Sequence, residues 1–142
     1  MMKSTIILVC LLIFLSLNVF SQAYNLTVII TNLKSKNGMV EVGLYRNAET
    51  FAKVGLTYKQ IRTKINNNQV IVIFHALEKG NYGVCVYHDE NNNKSCDRNF
   101  FGFPTEQYGF SNNIRPKLSA PSFESCTIKL DKNKTITIKT NL

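Results

Sequence analysis

The chain has 142 residues, with 17 Lys and Arg against 9 Asp and Glu, and a formal net charge of +8. This length allows one domain with its own hydrophobic core and leaves no room for a second. The lysines are scattered along the chain instead of forming a single block. The positive charge therefore does not indicate a nucleic-acid-binding protein.

The first 23 residues have the pattern of a secretory signal peptide. Lys3 precedes an apolar run over residues 6–17, and Ser21-Gln22-Ala23 provides small residues at the usual cleavage positions. The run is too short for a membrane anchor, because a spanning helix needs about 20 apolar residues. We therefore expect a secreted or periplasmic protein with one mature domain, residues 24–142, a formal charge of +7 and no membrane span.

Apolar and polar residues alternate with a period of two along most of the mature chain, which predicts short strands. The segments with this pattern are 25–31, 40–45, 69–77, 81–88, 126–130 and 135–140. We expect a further short strand over residues 60–65 and one helical turn over residues 48–53. Residues 131–134 lie between the last two segments, so these are expected to pair as a final hairpin.

Six to seven short strands, separated by Asn-, Gly- and Lys-rich turns, predict an all-β fold. We expect an antiparallel β-sandwich of immunoglobulin-like or prealbumin-like type. Tyr82 follows a Gly-containing turn, and its ring is expected to lie in the core with the hydroxyl bonded to the backbone.

Oxygen-bearing side chains recur at every second residue after the strand that ends near His88, a spacing typical of calcium-binding loops. The loop departs from an EF-hand at two places, with Lys94 where glycine makes the turn and Phe100 where a bidentate Glu belongs. An Asx-rich turn whose side chains bond their own backbone fits the spacing equally well. The candidate calcium ligands are Asp89, Asn91, Asn93, Ser95 and Asp97.

A cluster of aromatic residues follows the loop, and glycine and proline interrupt it, so the rings cannot all face one side of a sheet. We interpret Phe101, Phe103 and Phe110 as capping the open end of the sandwich, and expect Tyr108 to be the most exposed ring. Tyr108, Phe103 and Glu106 are the candidate ligand-binding residues. A glycan or a cell-surface protein is the expected partner, since exposed rings can stack on sugars or anchor a peptide.

His88 lies next to Asp89 and Glu90, which raises the alternative of a small extracytoplasmic hydrolase. Adjacent strand residues point to opposite faces, however, so a histidine that braces the loop by a hydrogen bond is favoured. The leading hypothesis is a monomeric, non-catalytic module whose Asp89–Asp97 loop binds calcium and orders Phe100–Asn113 as a recognition surface. A pure scaffold or assembly subunit is the third alternative.

The segments GNYGVCVYHDENNNKSCDRNFFGFPTEQYGFSNN and APSFESCTIKL resemble the bacterial secreted family known as domain of unknown function 2141. Its members typically read His-Asp-Glu-Asn-x-Asn-Gly-x-x-Asp-x-Asn, then Gly-x-Pro-x-Glu-x-Tyr-Gly-Phe-Ser-Asn. The resemblance implies an extracytoplasmic β-sandwich without an established activity. This chain departs from the family pattern at Glu78 in place of proline, Lys94 in place of glycine, and Cys96 in place of Leu or Met.

The resemblance also implies that Cys96 and Cys126 replace inward-facing residues. Three cysteines remain after cleavage, and an odd count permits at most one internal disulfide. We expect a Cys96–Cys126 bond with Cys85 as the free thiol. Three reduced thiols are the alternative.

Overall fold

The computed structural model describes residues 22–116 and 119–141. The predicted signal peptide lies outside the described residues, apart from Gln22 and Ala23. A helical turn, α1 (Phe123–Cys126), and a 3-10 turn at Ser111–Asn113 accompany the strands. The strands described are β1 (Ala23–Thr31), β2 (Met39–Tyr45), β3 (Lys59–Lys64), β4 (Val70–Glu78), β5 (Gly80–Asp89), β6 (Tyr108–Phe110), β7 (Ile128–Leu130) and β8 (Lys134–Lys139).

The strands form two sheets, which confirms the all-β, sandwich-like fold. One sheet has the order β4-β1-β8, and the other has the order β3-β2-β5-β6 with β7 also paired to β5. All pairings are antiparallel except that of β1 with β8, which is parallel. The described residues thus hold one more strand than the upper limit expected, because the three-residue β6 lies within the aromatic segment.

The core lies between the two sheets and consists of the alternate apolar residues that the sequence pattern marks. Leu26, Val28 and Ile30 of β1 are fully buried, as are Val40, Val42 and Leu44 of β2. Burying such side chains stabilises the fold by about 1.5–3 kcal/mol each. Tyr82 is also fully buried, and its hydroxyl donates to the carbonyl of Glu78 at 2.9 Å, which confirms its predicted role.

The expected final hairpin is wrong. β7 pairs with β5, where Ile128 faces Tyr82, whereas β8 runs parallel to β1, where Ile136 faces Val28. Residues 131–133 therefore carry the chain from one sheet to the other. Alternation marks a strand with one buried face, but it does not identify the neighbour to which that strand bonds.

The expected helical turn over residues 48–53 is also wrong, because residues 48–52 form hydrogen-bonded turns. Ala52 has a φ of 57°, which is incompatible with a continuing right-handed helix. The turns bring Phe51 into contact with Tyr45 and Phe110 on the outer face of the five-stranded sheet.

Within the residues that the structure describes, no helix is long and apolar enough to cross a membrane.

Candidate functional site

Asp89 ends β5 and organises the loop that follows it. Its side chain is fully buried, Oδ1 accepts the N–H of Asn93 at 3.0 Å, and Oδ2 accepts the N–H of Lys94 at 2.8 Å. Asn92 and Lys94 adopt left-handed φ values of 61° and 67°, which curl the backbone around the carboxylate. Lys94 thus adopts the left-handed conformation, which glycine adopts most easily and which the glycine at this place of a calcium-binding loop would have.

The remaining candidate ligands converge on the same loop. Nδ2 of Asn91 donates to Oδ2 of Asp97 at 2.7 Å, and Nδ2 of Asn93 donates to Oδ1 of the same carboxylate at 2.8 Å. Asn91 Oδ1 accepts the N–H of Asn93, and Asn93 Oδ1 accepts the N–H of Ser95. The loop therefore has the hydrogen bonds of an Asx-rich turn and also gathers the oxygen-bearing side chains that the calcium hypothesis needs.

Arg62 of β3 connects this loop to the outer face of the five-stranded sheet. Its Nη2 forms an ion pair with Asp89 and donates to Oδ1 of Asn92 at 2.7 Å, while Nη1 donates to Glu41 at 2.9 Å. Burial alone would raise the pKa of Asp89, but the bonds from Arg62, Lys94 and Asn93 outweigh it and lower the pKa.

Sequence analysis missed Arg62 and Glu41 as parts of the site. The register of β2 and β3 places these two residues directly opposite each other on the outward face. Their opposite charges at outward positions of neighbouring strands are a signal of such a pair. That signal becomes readable only once the register of the two strands is known.

Glu106, a candidate ligand-binding residue, lies beneath the loop instead of in an open site. It is buried, and its two carboxylate oxygens accept the N–H groups of Glu90 and Asp97, each at 3.1 Å. Burial raises the pKa of Glu106 despite these two donors. Glu106 therefore joins the two ends of the loop.

His88 points into the interior, on the face of β5 opposite to Asp89. Its Nε2 lies 2.7 Å from the carbonyl oxygen of Asn37, in the connection between β1 and β2, and its buried Nδ1 has no partner among the described residues. Gly38 of the same connection packs so closely that a Cβ atom there would lie 1.9 Å from the carbonyl oxygen of Asp89. The β1–β2 connection thus packs against the end of β5, where the loop begins.

The interpretation of Phe101 and Phe103 as capping rings is wrong, and so is the expectation that Tyr108 is the most exposed ring. Phe100 is 98% exposed, Phe101 79% and Phe103 44%, whereas Tyr108 is half-buried and Phe110 is buried. Phe110 alone of the three rings assigned to the cap lies against the sheet.

The exposure of these rings follows from a separate turn after the loop. The N–H of Asn99 donates to the carbonyl of Phe103 at 2.8 Å, and Asn99 Oδ1 accepts the N–H groups of Phe101 and Phe103. Gly102, with a φ of 82°, closes the turn. This turn projects Phe100 and Phe101 away from the sheets, in edge-to-face contact with centroids 5.6 Å apart.

A half-open cleft of about 820 Å³ lies over the outer face of the five-stranded sheet. Tyr45, Cys85, Tyr108 and Phe110 are among the sheet residues that line it, and residues 94–96 and 102–104 contribute to its wall. The Asp89–Asp97 loop and the turn at residues 99–103, called the aromatic turn below, thus border one cavity. Tyr108 and Phe103 face this cleft, whereas Glu106 does not contribute to it.

The three cysteines among the described residues carry free thiols, so the expected Cys96–Cys126 disulfide is not formed in the structure. Cys126 is fully buried at the end of α1, in an aromatic cluster with Tyr45, Phe51 and Phe110. Cys85 packs against that cluster, while Cys96 is half-buried in the loop beside the cleft. The family pattern indicated inward-facing positions for Cys96 and Cys126 but did not indicate that they lie in different parts of the fold.

Within the described residues, no group of three or more His, Cys, Asp or Glu side chains is arranged to hold a metal ion. Any cation held by the loop would thus depend on the amide oxygens of Asn91 and Asn93 as well as on Asp89 and Asp97. Calcium accepts such a ligand set, because it binds amide and carbonyl oxygens as well as carboxylates.

Residues 28–138 match the model of a family described as "Uncharacterized protein conserved in bacteria (DUF2141)". The chain belongs to this family. Comparison with curated proteins and with solved structures finds no match. The matched residues run from within β1 to within β8 and include the Asp89–Asp97 loop and the aromatic turn of the DUF2141 domain.

Proposed function

We propose that this DUF2141 domain is an extracytoplasmic, non-catalytic binding module. In this proposal the Asp89–Asp97 loop binds calcium, and the bound ion orders the aromatic turn and the neighbouring wall of the cleft as a recognition surface. The observation that carries the proposal is the convergence of Asp89, Asn91, Asn93 and Asp97 within one loop.

The side chains of the loop fit a hard cation after a small rearrangement. The amide nitrogens of Asn91 and Asn93 both point at the carboxylate of Asp97. Rotating each amide about its terminal torsion directs an oxygen atom to the same place, where a cation between the oxygens would offset their repulsion. The rotation gives up the bonds that the two Oδ1 atoms accept from the N–H groups of Asn93 and Ser95, and this loss also limits the affinity for the cation.

Arg62 sets a limit on the affinity of the loop for calcium. Its guanidinium already neutralises Asp89, the only buried carboxylate among the candidate ligands. Calcium must share Asp89 with a fixed positive charge, which lowers the attraction between the ion and the loop. We expect a dissociation constant on the order of 10⁻⁴–10⁻³ M, as for extracellular calcium modules.

Ordering of the loop would extend to the aromatic turn through short backbone contacts. The carbonyl of Asp97 accepts the N–H of Thr105 at 2.8 Å, and Arg98 pairs with Pro104 in an isolated bridge. These contacts enclose residues 99–103, so a cation bound by Asp97 restrains both ends of the turn that carries Phe100 and Phe101.

Calorimetric titration of the mature protein with calcium tests the proposal. We expect saturable heat in the millimolar range, and slower hydrogen exchange at the amides of Phe101 and Phe103 when calcium is bound. The matched control is Asp97→Asn, which keeps the shape of the side chain but removes its charge, and which should abolish the heat. Absence of heat at several millimolar calcium, or equal heat from the variant, would contradict calcium binding at this loop.

The extracytoplasmic location has its own test. Expression of the full chain in a bacterial host, followed by N-terminal sequencing of the exported protein, should find Tyr24 as the first residue. Retention of the uncleaved chain in the cytoplasm would contradict this part of the proposal.

A further inference from the structure

We infer that the cleft over the five-stranded sheet binds a small amphipathic organic anion, with an apolar body on the aromatic floor and an anionic group toward Lys94 and Arg98. This inference rests on the proposed binding function and names the class of its ligand. It does not depend on the identity of the cation in the loop.

The floor of the cleft suits an apolar body. Tyr45, Tyr108 and Phe110 line the cleft from the strands of the sheet, and Val54 and Phe103 line it from segments outside the strands. Val54 is 94% exposed and Phe103 44% exposed, so their apolar surfaces remain in water unless a ligand covers them. A volume of about 820 Å³ lies within the range of small-molecule sites, roughly 300–1,000 Å³.

The charges at the cleft favour an anion. Among the described residues that line it, Arg62, Lys94 and Arg98 are cationic and Glu41 is the only carboxylate. Arg62 is already neutralised, because it bonds both Glu41 and Asp89.

The other two cations have no such compensation. Arg98 bonds the carbonyl of Gly102 at 3.1 Å, and neither Arg98 nor Lys94 forms an ion pair with a described residue. Two uncompensated cations on the wall of an apolar cleft attract an anionic group and disfavour a cationic one.

The position of the cleft argues against an extended peptide as its occupant. The floor is the face of a sheet, where the backbone groups of β2 and β5 already bond their neighbours. A peptide laid over β2 and β5 would find their backbone N–H and C=O groups already bonded within the sheet. A compact ligand with one anionic group has no such requirement.

Three ligands that share one apolar body and differ in charge test the inference. The probes are 4-phenylbutyrate, 4-phenylbutanol and 4-phenylbutylamine, titrated into the mature protein at low ionic strength and followed by amide chemical shifts. We expect the carboxylate to bind about three- to tenfold more tightly than the alcohol, since exposed ion pairs contribute modestly, and the amine to bind most weakly. Shifts should concentrate at Val54, Tyr87 and Phe103, with none at His75 on the other sheet.

Matched variants show which charges cause the preference for the carboxylate probe. Lys94→Gln combined with Arg98→Gln should remove the preference for the carboxylate, so that this variant binds the carboxylate and the alcohol with equal affinity. Lys132→Gln combined with Lys139→Gln removes the same charge away from the cleft and should leave the preference intact. Equal loss in both double variants would overturn the inference, because the effect would then come from net charge alone.

The same titrations with and without calcium separate this inference from the proposed function. If the calcium titration gives saturable heat but no probe binds, the inference is overturned and the calcium proposal is supported. If the protein binds 4-phenylbutyrate more tightly than 4-phenylbutanol but calcium gives no heat, the inference is supported and the calcium proposal is contradicted. Equal binding of carboxylate and alcohol, or tighter binding of cellotetraose or pentaalanine at the same residues, overturns the inference.

Discussion

Replacing Asp89 by Asn should strongly destabilise the calcium-free protein. The buried carboxylate accepts two backbone N–H groups and pairs with Arg62. An asparagine has the same shape but only one acceptor oxygen, so its NH₂ group must face either the N–H of Asn93 or both the N–H of Lys94 and the guanidinium. One buried donor is then left without an acceptor, and Arg62 loses a charged partner.

The expected loss is about 3 kcal/mol. Breaking a buried ion pair costs about 3–5 kcal/mol, and the lower end applies here because Arg62 keeps Glu41 and Asn92 as partners. A domain of roughly 120 residues has an unfolding entropy near 0.25 kcal/mol/K, so this loss lowers Tm by about 12 °C. Urea denaturation and thermal melts of the two proteins at pH 7, without calcium, measure both quantities.

Asp97→Asn is the matched control, because Asp97 is only half-buried and its partners are two side-chain amides that can rotate. This variant should lose less than about 1 kcal/mol without calcium. If Asp89→Asn were no more destabilised than Asp97→Asn, the role assigned to Asp89 would be wrong.

The pH dependence of the difference in unfolding free energy between wild type and Asp89→Asn tests whether the charge of Asp89 stabilises the fold. The folded-state pKa of Asp89 is lowered, so its contribution is fully present above its unfolded pKa of about 3.8 and is lost as the pH falls through the folded pKa. The stability difference between wild type and Asp89→Asn should therefore stay constant from pH 7 to about pH 5 and shrink below about pH 4. A difference that persists unchanged at pH 2.5 would refute the charge-based explanation.

Three further changes have definite expected outcomes. Gly38→Ala should cost roughly 3 kcal/mol in urea denaturation, because its Cβ would overlap the backbone of Asp89 at a φ of 69°; a loss below about 1 kcal/mol would contradict the packing described. Lys94→Gly should gain about 0.5–1 kcal/mol by removing left-handed strain, and a lower Tm would argue against that strain. Burial raises the pKa of Cys96 to about 11, so iodoacetamide at pH 8 should modify Cys96 about a hundredfold more slowly than a free thiol. Burial also raises the pKa of Cys126, which is fully buried and should be modified after Cys96; rapid modification of Cys126, detected by mass spectrometry, would contradict its burial.

The core was predictable because it follows from a local pattern. A strand with one buried face must alternate, and Leu26, Val40 and Phe74 lie on the faces that alternation assigns to the interior. Pairing was less predictable, as β7 and β8 show, because two strands close in sequence can belong to different sheets. The loop was recognisable from spacing alone, since every second side chain turns inward in a tightly wound segment.

Other parts of the site depend on distant contacts that leave no local pattern. Arg62 reaches Asp89 only because β2 lies between β3 and β5 in the sheet. Glu106 has the composition of a ligand-binding residue, but its burial under the loop follows from the path of the chain after the aromatic turn. The exposure of Phe101 depends on a turn held by Asn99, and composition does not indicate the direction in which such a turn projects its rings.

The parallel pairing of β1 with β8 makes one sheet depend on two segments that lie far apart in the sequence. Leu26 lies opposite Lys134 and Ile30 opposite Ile138, so β1 lacks one neighbour until β8 has been synthesised. Pairings between such distant segments carry a large loop-closure cost and slow folding. The nascent chain should therefore remain incompletely folded until β8 has left the ribosome, and removal of β8 should leave an open, aggregation-prone edge along β1.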